Sequence, residues 1–350
     1  RDLFVTLNNE QGLSEEEITK ILGDTKGSAL VKRQILLKPP GDGLAVEERA
    51  IALSRQMLAA RLKGADSVFA TDVLHPEHGL IRSDGAPNPM FLPWRTTAIA
   101  LRGAHHLGSF ELPGRPINHV FSQDGAALVV FMSENSSTVR LNLGDDVRTR
   151  DVWGRPGNAV REGNRHTIPI GPSPTFCEGC SEPLARWRLQ VGFENGRIPS
   201  KYGGHQDAIV GQNTFSQGVR GTVELKLPNE WEAESSRWTV ELAAGESFRL
   251  PTTINLPQNA SLGKAAAIIS FDISPDRRRQ FEVHRAFEVG LGDVIVDVAT
   301  RPLPDGRLEI EQIVSNRTRP AEVIDFKCNL SVSGHKTQTQ YITKLAQDKD

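Results

Sequence analysis

Apolar positions change their period along this chain, and the changes mark out its parts. Val46, Ala50, Leu53, Met57, Leu58, Ala60 and Leu62 recur at helical spacing, with Glu47, Glu48, Arg49, Arg55 and Arg61 on the other faces. That pattern predicts an amphipathic helix. Short β runs flank it: Ala29 to Leu37, closed by Lys38-Pro-Pro-Gly-Asp-Gly43, and Asp66 to Ala70, with apolar Val68 and Phe69. Strand, helix and strand in this order predict a β-α-β unit with parallel strands and a right-handed crossover. Upstream, Ser14-Glu-Glu-Glu17 forms a capping box ahead of Ile18, Ile21 and Leu22, predicting a short helix from about Leu13 that Gly23 to Gly27 breaks. A further helix opens at Pro93-Trp94 and carries Ile99 and Leu101.

After Gly108 the period becomes that of strands. His119 to Phe121, Ala127 to Met132, Thr138 to Leu143 and His166 to Ile170 are expected strands, with Asp151 to Gly157 a turn. From Arg186 a second β module is expected, opening on the alternation of Trp187 to Val191. It continues through Val223 to Leu227, Trp238 to Leu242, Ser247 to Leu250, Ala266 to Phe271 and Phe281 to Val283. Strands about ten residues apart, separated by Gly and Pro, argue for an Ig-like sandwich. Asp293 to Val298 and Arg307 to Glu311 open another β segment. The fold class is therefore mainly β with an α/β N-terminal part. The expected divisions are 1–107 (α/β), 108–172 (small β-sandwich), 173–289 (Ig-like sandwich) and 290–350 (a truncated β module).

The 350 residues suffice for two or three domains, each with its own core. With 41 basic against 43 acidic residues the chain has no field of one sign, so nothing favours a nucleic-acid partner. No apolar run approaches the roughly 18 residues of a membrane span, and residues 1–20 lack the layout of a secretion signal. A start at Arg1 without Met and an end at Gln347-Asp-Lys-Asp350 suggest a piece of a longer protein. Asn-x-Ser/Thr triplets begin at Asn135, Asn259, Asn316 and Asn329, as suits an exported surface. Arg277-Arg-Arg279 is expected in a solvated turn.

Three cysteines close at most one bridge. Cys177 and Cys180 stand as C-E-G-C and admit three readings: half of a zinc site, which lacks a second pair of ligands; a redox centre, which lacks a β-α-β context; or a turn with incidental thiols or one local bridge.

Polar chemistry concentrates after the strand at Asp66 to Ala70. Asp72-Val-Leu-His75-Pro-Glu77-His78 puts four groups able to exchange protons or ligate metal within seven residues. In an α/β unit the loops after strands line the ligand site. Three uses are open: a metal held by His75, His78 and a carboxylate; sugar binding, with Asp72 and Glu77 accepting hydroxyl hydrogen bonds while Trp94 or Phe91 stacks on a ring; or a plain solvated turn capped by Asp72. At the start of a helix carrying Ile99 and Leu101, Trp94 fits core packing better than a sugar platform. No resident metal and no cofactor are expected.

The order G-A-D-S-V-F-A-T-D (64–72), H-G-L-I-R-S-D-G (78–85), P-W-R-T-T (93–97) and D-V-W-G-R (151–155) resembles the end of a clan A glycoside hydrolase, whose (β/α)8 barrel continues into a small β-sandwich. The stretch from about Arg186 to Val289 is similar to the Ig-like domain that accompanies carbohydrate-binding modules in alpha-galactosidase-type proteins. Its carriers are Gly221 to Trp231, Leu242 to Phe248 and Leu256 to Ser261. The resemblance implies a carbohydrate substrate or ligand, an extracellular, periplasmic or cell-surface location, candidate catalytic residues Asp72, Glu77 and His75, and ligand contacts from His78 and Trp94. The chain departs from that pattern at two places. The position matching the family's Glu nucleophile falls in Ile35-Leu36-Leu37-Lys38, which holds no carboxylate, and Ala70 stands where a Trp floor is common. Glycoside hydrolysis needs two carboxylates about 5 to 10 Å apart. The alternative expectation is a non-catalytic carbohydrate-binding or structural cell-surface protein.

Overall fold

A computed structural model describes residues 3–6, 33–41, 43–112, 117–199, 204–257, 260–290, 294–305, 307–317, 323–330 and 336–346. The helix expected near Leu13 lies outside the described residues, as do residues 29–32 of the first expected strand.

The α/β part contains three parallel strands, β1 (Leu3–Thr6), β2 (Arg33–Leu37) and β3 (Ser67–Ala70), in the order β1-β2-β3. Helix α1 (Val46–Leu62) links β2 to β3, so the expected β-α-β unit is present. At its start the Ala45 amide donates to the Glu48 carboxylate, half of a capping box, and Glu47 and Glu48 complement the helix dipole. Helix α2 (Phe91–Ala100) packs beside α1, where Thr97 and Ser54 share a buried hydroxyl hydrogen bond of 2.9 Å. Among the described residues the parallel unit has three strands, and they do not close a barrel.

The first sandwich follows directly. Its strands are β4 (His105–Glu111), β5 (Ile117–Gln123), β6 (Ala126–Phe131), β7 (Ser137–Leu141), β8 (Arg148–Arg150), β9 (Val160–Glu162), β10 (Arg165–Ile170) and β11 (Thr175–Cys180). They form a five-stranded sheet, β4-β5-β6-β11-β8, facing a three-stranded one, β7-β10-β9. The larger sheet is buried on both faces. Phe121, Leu128, Val130 and Phe176 join the core of α1 and α2, while Val120, Val129, Phe131 and Cys177 join Ile168 and Ile170 of the smaller sheet. This explains why Ala126 to Phe131 is a continuous apolar run without alternation.

Pairing corrects the expected division at 172/173. β11 bonds to β6 and β8, so residues 175–180 complete the first sandwich. The strand expected at Trp187 to Val191 is also corrected. Residues 182–190 form helix α3 (Glu182–Gln190), with Pro183 in its first turn. A five-residue alternation does not separate strand from helix; Leu184, Trp187 and Val191, at i, i+3 and i+7, are the residues that enter the core.

Trp187, fully buried, centres the second sandwich among Phe215, Phe248, Phe271 and Phe281, at centroid distances of 5.4 to 6.1 Å. Its strands are β12 (Gly192–Phe193), β13 (Arg197–Ile198), β14 (Gly204–Gln212), β15 (Val219–Lys226), β16 (Glu232–Ala233), β17 (Arg237–Leu242), β18 (Ser247–Asn255), β19 (Gly263–Ser274) and β20 (Arg279–Val289). They divide into the sheets β12-β14-β18-β16 and β13-β20-β19-β15-β17. The two sandwiches are tied across their joint. Asn142 donates to the Gln280 carbonyl at 3.1 Å and Arg277 pairs with Asp145, while Arg285 of β20 donates to the carbonyls of Val191 and Arg188 and fixes the end of α3 to the second sandwich. As expected, Arg277 and Arg278 lie exposed in the turn between β19 and β20, and the turn also carries ion pairs: Arg278 binds Asp272, and Arg279 binds Asp276 and lies over Phe215.

Beyond them stand two hairpins, β21 (Val294–Pro302) with β22 (Leu308–Asn316), and β23 (Ile324–Leu330) with β24 (Gln338–Leu345). The Asn316 side chain donates to the Leu345 carbonyl and links them. Asn316 is fully buried, which excludes it as a glycan acceptor in the folded chain.

Candidate functional site

The loop after β3 is built by backbone geometry. The Thr71 amide still bonds to the Leu37 carbonyl, and Asp72 then adopts a left-handed conformation with φ 49°. The chain turns there, with His75 N–H donating to the Asp72 carbonyl and Gly79 N–H to the His75 carbonyl. Gly79 is required by close approach: a Cβ there would lie 2.4 to 2.5 Å from backbone atoms of His75 and Val73.

Two side chains anchor this loop. Arg49 of α1, largely buried, donates to the Glu77 carbonyl and to the Pro40 carbonyl, both at 3.0 Å, and so joins the loops that follow β2 and β3. Asn88 donates to the Gly79 carbonyl at 2.9 Å. Neither residue stood out in the sequence, where Arg49 belongs to the charged face of a helix. The only signal was its position in the first turn, beside the loop after β2.

The four chemical groups do not act alike. His75 and His78 stack, with centroids 3.5 Å apart and planes 23° from parallel. The His75 Nδ1 accepts from the amides of Glu77 (3.2 Å) and His78 (3.5 Å), which orients the ring within the loop. His78 is buried, and its Nε2 lies 3.8 Å from the Asp72 carboxylate, too long for a hydrogen bond. Burial lowers the His78 pKa, helped by the charges of His75 and Lys38, while Asp72 pulls it upward. The imidazole is therefore neutral at pH 7. Asp72 and Glu77 are both exposed.

Stacked rings do not converge on one point, and among the described residues no group of three or more His, Cys, Asp or Glu is placed to hold a metal ion. The metal use of His75, His78 and a carboxylate therefore finds no support in the geometry. Trp94 is half-buried and packs against the core that includes residues of α1 and β2. Trp153, from the D-V-W-G-R turn, reaches the same region: its Nε1 donates to Glu47 at 2.9 Å, and Arg155 lies over its ring. The turn itself is held by Asp151, whose carboxylate accepts from the amides of Trp153 and Arg155. Lys38, just past the end of β2, is near enough for its charge to lower the His78 pKa.

The C-E-G-C pair is buried and reduced. A bulge between Cys177 and Cys180, with Gly179 at φ 70°, turns both side chains into the core of the first sandwich. Burial raises both thiol pKa values, that of Cys180 to about 12. No thiolate is available there at neutral pH.

No known family profile and no curated protein matches this chain. Among solved structures it is similar to a family 39 glycoside hydrolase from Bacteroides cellulosilyticus WH2, at 19% identity over 47% of this chain and 37% of that one, TM-score 0.36. It is also similar to a GH30 endoxylanase from Clostridium papyrosolvens C71, at 10% identity over 50% and 64%, TM-score 0.29. A third is Bacteroides uniformis beta-glucuronidase 2, at 9% identity over 54% and 28%, TM-score 0.21. The chain thus spans less than two thirds of each of these proteins, and TM-scores this low assign it to none of their families.

Proposed function

We propose that this chain is a glycoside hydrolase-like, carbohydrate-associated module of an exported protein, whose α/β part corresponds to the end of a barrel and whose second sandwich is Ig-like. In this reading the loop after β3 binds a sugar and does not by itself cleave a glycosidic bond. The observation that carries it is Asp72, an exposed carboxylate held by a left-handed turn at the carboxyl end of a parallel strand, with the buried neutral His78 behind it. An exposed carboxylate at that end of a strand is suited to accept hydrogen bonds from sugar hydroxyls. Cleavage requires a second carboxylate across the bond, and β2 ends instead at Lys38. Asp72 and Glu77 are the polar contacts in this reading, and His75 and His78 are positioning residues beneath them.

Titration of the chain with neutral oligosaccharides, followed by NMR, tests this. The expected result is saturable shifts at Asp72 and Glu77, at least about tenfold weaker binding in Asp72→Asn, and no release of reducing sugar. Each lost charged hydrogen bond is worth about 1.5–3 kcal/mol. Binding that persists unchanged in Asp72→Asn overturns the assignment. Turnover that Asp72→Asn abolishes makes the chain an enzyme instead.

A further inference from the structure

A second pair of histidines sits on the first sandwich, away from the loop after β3. His106 and Ser109 lie on edge strand β4, and His119 lies on β5 directly opposite Ser109. The Ser109 Oγ is 2.8 Å from the His119 Nδ1 and 3.4 Å from the His106 Nε2. The two rings are 6.1 Å apart and 62° from parallel. One nitrogen of each imidazole is thus aimed at a single point, unlike the stacked pair at 75 and 78.

This convergence is produced by an irregularity in the strand. Residues three apart on a regular strand point to opposite faces, but the register shifts between His106 and Gly108, which brings His106 and Ser109 to the face that carries His119. Gly108 takes φ 150° in the bulge, and a Cβ there would press on Leu189 at 3.2 Å. His119 is 8% exposed, with its Nδ1 toward Ser109, whereas His106 and Ser109 are open to solvent. One nitrogen is therefore held rigidly and the other is reachable.

We propose that His106 and His119 form a two-histidine site for a divalent transition metal cation of the zinc, nickel or copper type, with the Ser109 hydroxyl and water completing the shell. Imidazole suits these ions and not Mg²⁺ or Ca²⁺, which select oxygen. Metal–nitrogen bonds are about 2.0–2.1 Å, and both nitrogens lie within 3.4 Å of one hydroxyl oxygen, so side-chain rotation about that point would bring both onto one ion. Desolvation lowers the pKa of both rings, that of His119 to about 4, so both are neutral at neutral pH and able to bind a cation. His106 and Ser109 are exposed, so water can complete the shell and the site is open.

Calorimetric titration of the full chain with zinc chloride in a non-chelating buffer is the test. One equivalent is expected to bind, with at least about a tenfold loss in His106→Gln. His106 is exposed, so that variant keeps its fold, and circular dichroism checks it. His75→Gln is expected to bind zinc as the parent does. In the parent, zinc should shift the imidazole NMR signals of His106 and His119 together. Absence of binding by the parent, undiminished binding by His106→Gln, or loss in His75→Gln overturns the proposal.

Discussion

The ring of His78 lies 3.5 Å from that of His75, and its Nε2 stands 3.8 Å from the Asp72 carboxylate, so a buried imidazole separates a second imidazole from an acid. Protonating His78 would place a charge in a buried position beside His75 and Lys38, and its pKa is accordingly lowered. His106, His119, His166 and His284 are lowered too, each chiefly by burial. For each of them the unfolded chain binds the proton more readily, from about pH 6.5 downward. Stability is therefore full above that pH and falls as the pH drops toward 4. His119 alone, with a folded pKa of about 4, accounts for about 3 kcal/mol of this loss. Asp272, held near 2 by Arg278 and Gln280, loses its contribution only below about pH 4. Urea midpoints measured from pH 7.5 to 4.5 should decline steadily; a flat profile would contradict the lowered pKa values of these rings.

Gly79→Ala should open the loop after β3. Its Cβ would meet backbone atoms, which cannot rotate away. The expected cost is about 2–3 kcal/mol, in the range of overpacking changes. Hydrogen exchange at the amides of His75 and Gly79 should quicken more than exchange in the second sandwich. Equal effects in both places would mean that the loop is not the part displaced.

Trp187→Ala should cost about 3–5 kcal/mol, since it empties the centre of four phenylalanines. The Trp187 Nε1 is buried without a hydrogen-bond partner. Trp187→Phe therefore loses volume but no hydrogen bond, and should cost distinctly less. Denaturant titration of both variants orders them; equal losses would show that the indole nitrogen has a partner in solution.

Cys177 and Cys180 should resist alkylation in the native chain and react only as fast as the first sandwich opens. Both are buried, and the Cys180 thiol donates to the Cys177 carbonyl at 3.3 Å. Iodoacetamide labelling followed by mass spectrometry should find Cys328, which is only half-buried, modified first. Early modification of Cys180 would place it at a surface.

Local pattern carried much of the fold. The period of Val46 to Leu62 defined α1, and the β runs on either side paired in parallel because a 17-residue helix between two short strands crosses over in one hand. Strands from β5 to β20 were legible wherever apolar side chains alternated or ran unbroken. The candidate loop was legible too, because four ionisable groups in seven residues need no partner from elsewhere to be noticed. Arg49 and Asn88, which hold that loop, were not, since their roles depend on carbonyls 28 and 9 residues away.

By itself, then, the sequence determined the β-α-β unit around α1 and those sandwich strands whose apolar side chains alternate or run unbroken, which follow from periods of 3.6 and 2 within one segment. Tertiary structure alone decided that Trp187 belongs to a helix, that β11 completes the first sandwich, and that Asn316 is buried. It also decided that a strand bulge turns His106 toward His119. The reason is common to all four: each depends on which distant surface a segment meets, as Asn142 meets Gln280 across 138 residues, and no window of local sequence contains that surface.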